Sequence, residues 1–437
     1  MATTGQLNEG QQKTADGFFE FLMNTEQKEL NISGPGGVGK TFLMGYLIDN
    51  ILPRYHEICS IMNMPAVYEE VAMTATTNKA AEVLGKATRR PTSTIHSFLN
   101  IIVKENFDTG RSTLQKGRNW EVHHNKVIFV DEASMIDGHL LRLIREGTFN
   151  CKIVYVGDHC QLAPVFEDLS PVYKEGLPFY ELTQPMRNSG QPALMAICNQ
   201  LRQTVETQQF RPIRLVPGVI DLLDDDAMEQ AVAEHFANPG NQDRILAYTN
   251  QRVMMYNNYI RALRELPEFF AVGEMVINNS AIALKTGMMS VEDEFEVTSV
   301  SEDSDFITIE HLKGQDPVKL EVRYCTLKGV HKTFEGVPVP VDRDHFVKLV
   351  KHYARTKNWV KYYHLKNNYP DLRPRDAATV HKAQGSTYDT VFIDLADLST
   401  CRDPSQAARL LYVAFSRARQ RVVLHGKLAP KFGGIVR

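Results

Sequence analysis

The segment Gly34-Pro35-Gly36-Gly37-Val38-Gly39-Lys40-Thr41 follows a short apolar stretch at 30–33 and opens a helix-like run at 42–51. A strand, a glycine-rich turn and a helix N-terminus in that order narrow the fold sharply, because such loops sit at the carboxyl edge of a sheet covered by helices. Gly34, Gly37 and Gly39 let backbone N–H groups curl around an anion, and the helix end adds partial positive charge. Lys40 is placed to reach the β- and γ-phosphates of a nucleotide, and the Thr41 hydroxyl to take a position on Mg²⁺. A nucleoside triphosphate with Mg²⁺ is therefore the expected ligand.

The rest of the first third keeps the same rhythm. Nearly continuous apolar runs at 71–75, 127–130 and 152–156 each end in small, charged or amide residues, the pattern of parallel strands buried on both faces. At 127–132 the strand closes on Asp131-Glu132, which predicts a carboxylate for Mg²⁺ and a second, Glu132, to orient or deprotonate the attacking water. A third strand end, at 154–162, presents Gly157-Asp158 and Gln161, the latter within reach of the γ-phosphate or a moving neighbour. Arg187 and Arg417, the second in a tight Ser-Arg-Ala setting, are candidates to stabilise charge on the departing phosphoryl oxygens.

Between 99 and 120 the rhythm breaks into a hairpin pattern with a turn near 108–110 and Phe107 beside it. Phe107 either packs the hairpin onto the core or leads a wedge into duplex. A second α/β unit opens after 185–190, with a strand at 244–248, a helix at 253–266 and returning strands at 391–394 and 422–424. Inside it, 271–340 turns to short alternating β segments, and 342–369 carries lysines and arginines interleaved with Phe346, Tyr353, Trp359, Tyr362 and Tyr363. That stretch is either a nucleic-acid stripe or a solvated helix whose aromatics are core.

Composition excludes several classes. The net charge of −3 does not by itself mark a nucleic-acid binder, although a local stripe can bind phosphates regardless. Six scattered cysteines with no C-x-x-C pair suggest reduced cytoplasmic thiols, and no apolar run suits a signal peptide or a membrane span. Thr76, Thr77, Asn78 and Thr94 are small donors suited to phosphate oxygens, while His96 and Phe98 could position or stack nucleotides. For Phe98 a place in the core is an equal alternative. His381 and Lys382, followed by Gln384 and Gly385, would let the second unit hold the same strand.

In this order the segments resemble the RecD-like group of superfamily 1 DNA helicases. Gln11 stands in what looks like the adenine-reading glutamine motif, 34–41 in the phosphate loop, and 75–81 and 92–98 in the strand-gripping segments. The runs at 131–134, 157–162, 182–187, 247–250 (with Thr249 and Asn250), 379–386 and 412–418 match the later motifs. The resemblance implies an α/β fold of two RecA-like motor domains with ATP and Mg²⁺ between them. It implies a β-hairpin inserted in the first motor and an SH3-like barrel in the second. The expected boundaries are 1–185 for the first motor with its hairpin at 99–120. Residues 186–270 plus 376–437 form the second, and 271–375 the barrel with its helical extension at 342–369. It further implies 5′ to 3′ movement on single-stranded DNA, tailed or forked duplex as substrate, replication or single-strand-binding proteins as partners, and a setting in replication or repair. A monomer is expected, since one chain holds both motors. A translocase that clears bound proteins, or a nucleotide-switched DNA-binding protein, are the competing readings. The paired carboxylates and two arginines argue against the switch, which needs binding more than transition-state stabilisation.

Overall fold

The computed structural model describes residues 6–164, 167–184, 191–238, 242–284, 287–311, 316–330 and 332–436. Its first unit is built on a six-stranded parallel sheet, ordered Phe179–Glu181, Glu29–Ser33, Lys152–Gly157, Lys126–Asp131, Glu70–Ala75, Thr92–Thr94. The alternation of a strand sends successive side chains to opposite faces. Leu30, Ile32, Val127, Phe129, Val154 and Val156 accordingly pack under helix Glu9–Met23 and the phosphate-loop helix. Ile128, Val130, Ile153 and Tyr155 meet helix Gly138–Glu146 on the other face. With both faces covered, only the strand ends are open, and these are where the candidate residues lie.

The second unit holds a five-stranded parallel sheet, ordered Ile220–Leu223, Ala418–His425, Tyr388–Asp394, Arg244–Ala247, Ala377–Thr379. Helix Pro404–Ser416 lies almost wholly inside its core, which explains the apolar run Leu410 to Ala414. Between Ala247 and Ala377 the chain leaves to form a six-stranded antiparallel sheet, in which Val318–Lys328 pairs with Asp305–Glu310, Glu294–Val300 and Thr333–Pro340. Register shifts at Val297/Ser299, Thr308/Glu310 and Cys325/Leu327 bend that sheet around its own core of Val276, Phe295, Val297, Leu327, Phe334 and Val337.

Helices Arg343–Arg355 and Trp359–Asn368 pack against this sheet. Phe346 and Tyr353 are core there, so those two aromatics of the basic stretch follow the solvated-helix alternative. Trp359 and Tyr363 instead meet the hairpin Ile101–Glu105 and Ser112–Lys116, whose tip reaches across from the first unit. Among the described residues no helix is long and apolar enough to cross a membrane.

Candidate active site

Strand Glu29–Ser33 is buried along its whole length and runs straight into the phosphate loop. Gly34 lies against the main chain of Leu182: a Cβ there would stand 2.5 Å from the Leu182 carbonyl oxygen, so no side chain fits. Gly37 and Gly39 have φ of 84° and 82°, a region that favours glycine, and Gly39 caps helix Lys40–Tyr46. The Lys40 ammonium is folded into the loop, donating to the carbonyls of Gly34 (2.6 Å) and Pro35 (2.9 Å). Gln11 is fully buried and donates from Nε2 to the Val38 carbonyl at 3.2 Å. Its Oε1 accepts from Asn8 N–H at 3.2 Å, so the glutamine ties the first helix to the loop.

The neighbouring strand delivers the carboxylates. Glu132 takes a left-handed φ of 54°, turning the chain so that its own N–H donates to Asp131 Oδ1 at 2.9 Å. Thr76 braces that turn, its N–H donating to Asp131 O and its hydroxyl to Glu132 O, both at 3.2 Å. Burial and the adjacent Glu132 carboxylate push Asp131 up to about 7, against the pull of Lys40. The desolvated Asp131 carboxylate, in the field of Lys40, and the hydroxyl of Thr41, next to Lys40 in the chain, are oxygen donors of the kind that suits Mg²⁺.

The second unit meets these carboxylates directly. Gln384 Nε2 donates to Ser134 Oγ at 3.1 Å, and both side chains are buried. Gly385 (φ 78°) faces Glu132 so closely that a Cβ would lie 3.9 Å from Glu132 Oε1. The next residue, Ser386, accepts from Arg417 Nη1 at 3.2 Å. Arg417 is buried, and its other partners are Val413 O and Ser416 Oγ, so its guanidinium is held within the second unit, one residue from the glycine that faces Glu132. Arg187 lies outside the described residues.

The strand end at 157–162 is locked from across the interface. Asp158 is fully buried and accepts from Arg202 Nη1, from the Tyr412 hydroxyl (2.6 Å) and from Cys160 N–H (3.1 Å). Arg202 and the other charges hold its carboxyl below the ordinary range despite burial. Arg409 Nη1 donates to the carbonyls of His159 and Gln161, both at 2.6 Å. Gln161 is buried and its Oε1 has no partner. Arg202, Arg409 and Ser134 join the site although none of them was among the residues expected there. Arg409 and Tyr412 share helix Pro404–Ser416 with Arg417 at its C-cap, but no local pattern points any of these residues to its distant partner.

Several predicted DNA contacts have a structural duty as well. Thr77 caps helix Asn78–Thr88 by accepting from Ala80 N–H at 3.2 Å, and Thr94 accepts from Ser97 N–H at 3.1 Å. Thr249 donates to Asp397 at 2.8 Å and accepts from Arg252 N–H at 3.2 Å. The exposed Asn250 accepts from Arg373 at 2.7 Å, while Asn78 is exposed. Burial lowers the His96 imidazole pKa, and one face of Phe98 is taken by His123, stacked at 4.0 Å and 15°. His381 is exposed with its ring 6.2 Å from Tyr248. Lys382, held below the usual lysine range by burial and Arg373, shares a cleft with Lys79, Asn250, Glu292 and Glu294. Glu294 lies 3.8 Å from Lys79, 3.3 Å from Arg375 and 3.6 Å from Arg244. Phe107 is half exposed at the hairpin tip, edge-on to Tyr363 at 5.2 Å.

Residues 21–167 match the AAA domain family and residues 376–425 the UvrD-like helicase C-terminal domain. The chain is 24% identical to the ATP-dependent DNA helicase dda of Enterobacteria phage T4 over 467 residues, covering 96% of this chain and 99% of that one. Among solved structures, it aligns with Pif1 helicase from Bacteroides in complex with ADP-AlF3 and ssDNA (17% identity, TM-score 0.49, 99% and 95% covered). It also aligns with Pif1 helicase from Candida albicans (18%, TM-score 0.47, 99% and 97%).

Proposed function

We propose that this superfamily 1 helicase, an ATP-hydrolysing relative of the Dda helicase, moves 5′ to 3′ along single-stranded DNA and divides duplex at a tailed or forked junction. The observation that carries the reading is the meeting of the two units over the catalytic carboxylates, Gln384 on Ser134 and Gly385 against Glu132. A nucleotide seated on the phosphate loop touches both units there, so its hydrolysis changes how they sit together. That is what a motor requires and a simple binding switch does not.

In this reading the 34–41 loop and Lys40 hold the phosphates, and Gln11 couples the base end to the loop through Val38. Thr41 and Asp131 would hold Mg²⁺, which when bound supplies charge neutralisation at the β- and γ-oxygens. Glu132 orients the attacking water and takes its proton, and Gln161, whose buried Oε1 is an acceptor without a partner, senses the γ-phosphate or that water. Arg417, and Arg187 by its motif, stabilise charge on the departing group as the units close. Thr76, Thr77, Asn78, Thr94 and His96 form one grip on the strand, and Thr249, Asn250, His381 and Lys382 the other, with helix N-terminal N–H groups supplying phosphate contacts. Phe98, stacked on His123 and packed against the core of the first unit, braces the first grip and meets a base only with what stays exposed of its ring. The hairpin is the wedge, with Phe107 at its tip, and a monomer suffices because both units lie in one chain.

The test is unwinding of matched duplexes carrying a 5′ or a 3′ single-stranded tail, with DNA-stimulated ATP hydrolysis measured alongside. Opening of the 5′-tailed duplex alone is expected. Stimulated hydrolysis with neither duplex opened would replace the helicase reading with a translocase.

A further inference from the structure

Arg409 crosses the interface without a task in the proposed chemistry. It sits in helix Pro404–Ser416, is 9% exposed, and is paired with no carboxylate among the described residues. Instead it spends Nη1 on two main-chain carbonyls of the other unit, His159 O and Gln161 O, each at 2.6 Å, while its buried Nε has no partner. Burying a guanidinium without an anion is costly, and a methionine would fill the space more cheaply. What the arginine adds is a cross-interface grip on the backbone of one loop.

That loop is the one carrying Gln161, whose side-chain oxygen is buried and unpartnered. Eight residues further along the same helix, about 12 Å at 1.5 Å per residue, stands Arg417. Between them Tyr412 holds Asp158 at 2.6 Å, two residues before Cys160. One rigid helix therefore carries the arginine finger at its end and clamps the Gln161 loop at its middle.

Resting on the proposed motor function, we infer that Arg409 is a positioning residue: it makes the placement of Gln161 and the approach of Arg417 a single movement. Helix Pro404–Ser416 is then the transmission element between the units. When Arg417 shifts, Arg409 drags the Gln161 carbonyl with it. Without Arg409, Arg417 can still reach the site and Tyr412 still holds Asp158, but the carbonyl of Gln161 is no longer gripped and its side chain follows less closely.

The variants are Arg409→Met, which keeps bulk and removes the donors, and Arg409→Lys, which keeps a donor and charge. ATP hydrolysis is measured with and without saturating single-stranded DNA, with melting temperature as a check on folding. For Arg409→Met, DNA stimulation of kcat is expected to fall about tenfold, within the usual range of coupling between sites, with KM for ATP nearly unchanged. Arg409→Lys should recover a substantial part of the stimulation. Full stimulation in a folded Arg409→Met protein would overturn the inference, as would a lysine variant no better than methionine. If Arg409→Met fails to fold, Arg409→Lys alone decides: stimulation at the parent level with a raised KM assigns the residue to nucleotide binding and refutes the coupling role. Absence of stimulation in the parent protein would instead refute the motor function itself, so the two failures are told apart.

Discussion

Gly110→Ala tests the proposed role of the hairpin as a wedge separate from the motor. Gly110 closes the hairpin tip with φ 68°, its N–H donating to Asn106 O at 2.8 Å, and a Cβ on it would land inside the Trp359 ring. Alanine in that backbone region costs about 1–2 kcal/mol before any clash is counted. The contacts holding the tip on helix Trp359–Asn368 are few. Beside the packing of Gly110 on Trp359, which the added methyl itself disrupts, they are the Phe107–Tyr363 edge at 5.2 Å, the Asn367 amide on the Glu105 carboxylate at 3.0 Å, and Ser112 with the Tyr363 hydroxyl at 3.4 Å. An aromatic pair, one exposed hydrogen bond and one part-buried hydrogen bond contribute roughly 2–4 kcal/mol together. Backbone strain and overlap with an indole therefore match or exceed what docks the tip, and the undocked form becomes the major one. Unwinding per ATP should fall about tenfold, since 1.4 kcal/mol is worth that factor, while single-strand-stimulated hydrolysis stays within about twofold. Trp359 reports docking directly: its emission should shift to the red, and Trp120 is the only other tryptophan. Combining Gly110→Ala with Trp359→Ala removes the overlap, so the pair should be less than additive. A red shift with unchanged unwinding would show that bracing the hairpin is irrelevant, and a parallel loss of hydrolysis would show that the tip supports the motor fold.

Three further outcomes are expected. Glu132→Gln should bind ATP and DNA as the parent does while single-turnover hydrolysis slows by about 10²-fold, measured by rapid quench; normal turnover would remove that carboxylate from the chemistry. Glu294→Gln should free Lys79 in the cleft and tighten single-stranded DNA binding, with the log–log salt slope steeper by about 0.7 if one more phosphate is neutralised. Lys152 is buried with its ammonium on the carbonyls of Asn24 and Gln27, and burial pushes its pKa down from 10.5 to about 8. The unfolded chain thus holds a proton that the folded chain has lost between those values. Stability should rise with pH across that window, by at most about 3 kcal/mol, and Lys152→Met should abolish the rise in denaturant titrations at pH 7 and 10.5.

Whatever repeats a local pattern was legible from residues alone. The strand runs at 30–33, 127–130 and 152–156, the glycines at positive φ and the Asp131-Glu132 strand end all follow from short-range rules. Residues whose meaning lies in a distant partner were not. Arg202 meets Asp158 across 44 positions, Arg409 meets Gln161 across 248, and neither stretch hints at the other. Phe98 was open between core and stacking because its partner, His123, sits on a two-residue strand that carries no pattern of its own. The basic stretch at 342–369 divided for the same reason. Its composition is uniform, but Tyr353 turns to the antiparallel sheet and Trp359 to the hairpin.

The discontinuity of the second sheet also sets an order of assembly during synthesis. Every strand of the first sheet has emerged by Glu181, so that unit can close while the rest is still being made. Strand Ile220–Leu223 has to wait: among the described strands it pairs with Ala418–His425, and Asp221 meets Arg421, 200 residues later. At about 5–20 residues per second, that edge stays unpaired for some 10–40 seconds on the ribosome. An open strand invites wrong pairing, and the acidic residues Asp221, Asp224, Asp225 and Asp226 clustered around it are the kind of charge that keeps such an edge from aggregating. A nascent chain stalled before residue 418 would thus carry a closed nucleotide-binding unit beside an unfinished one.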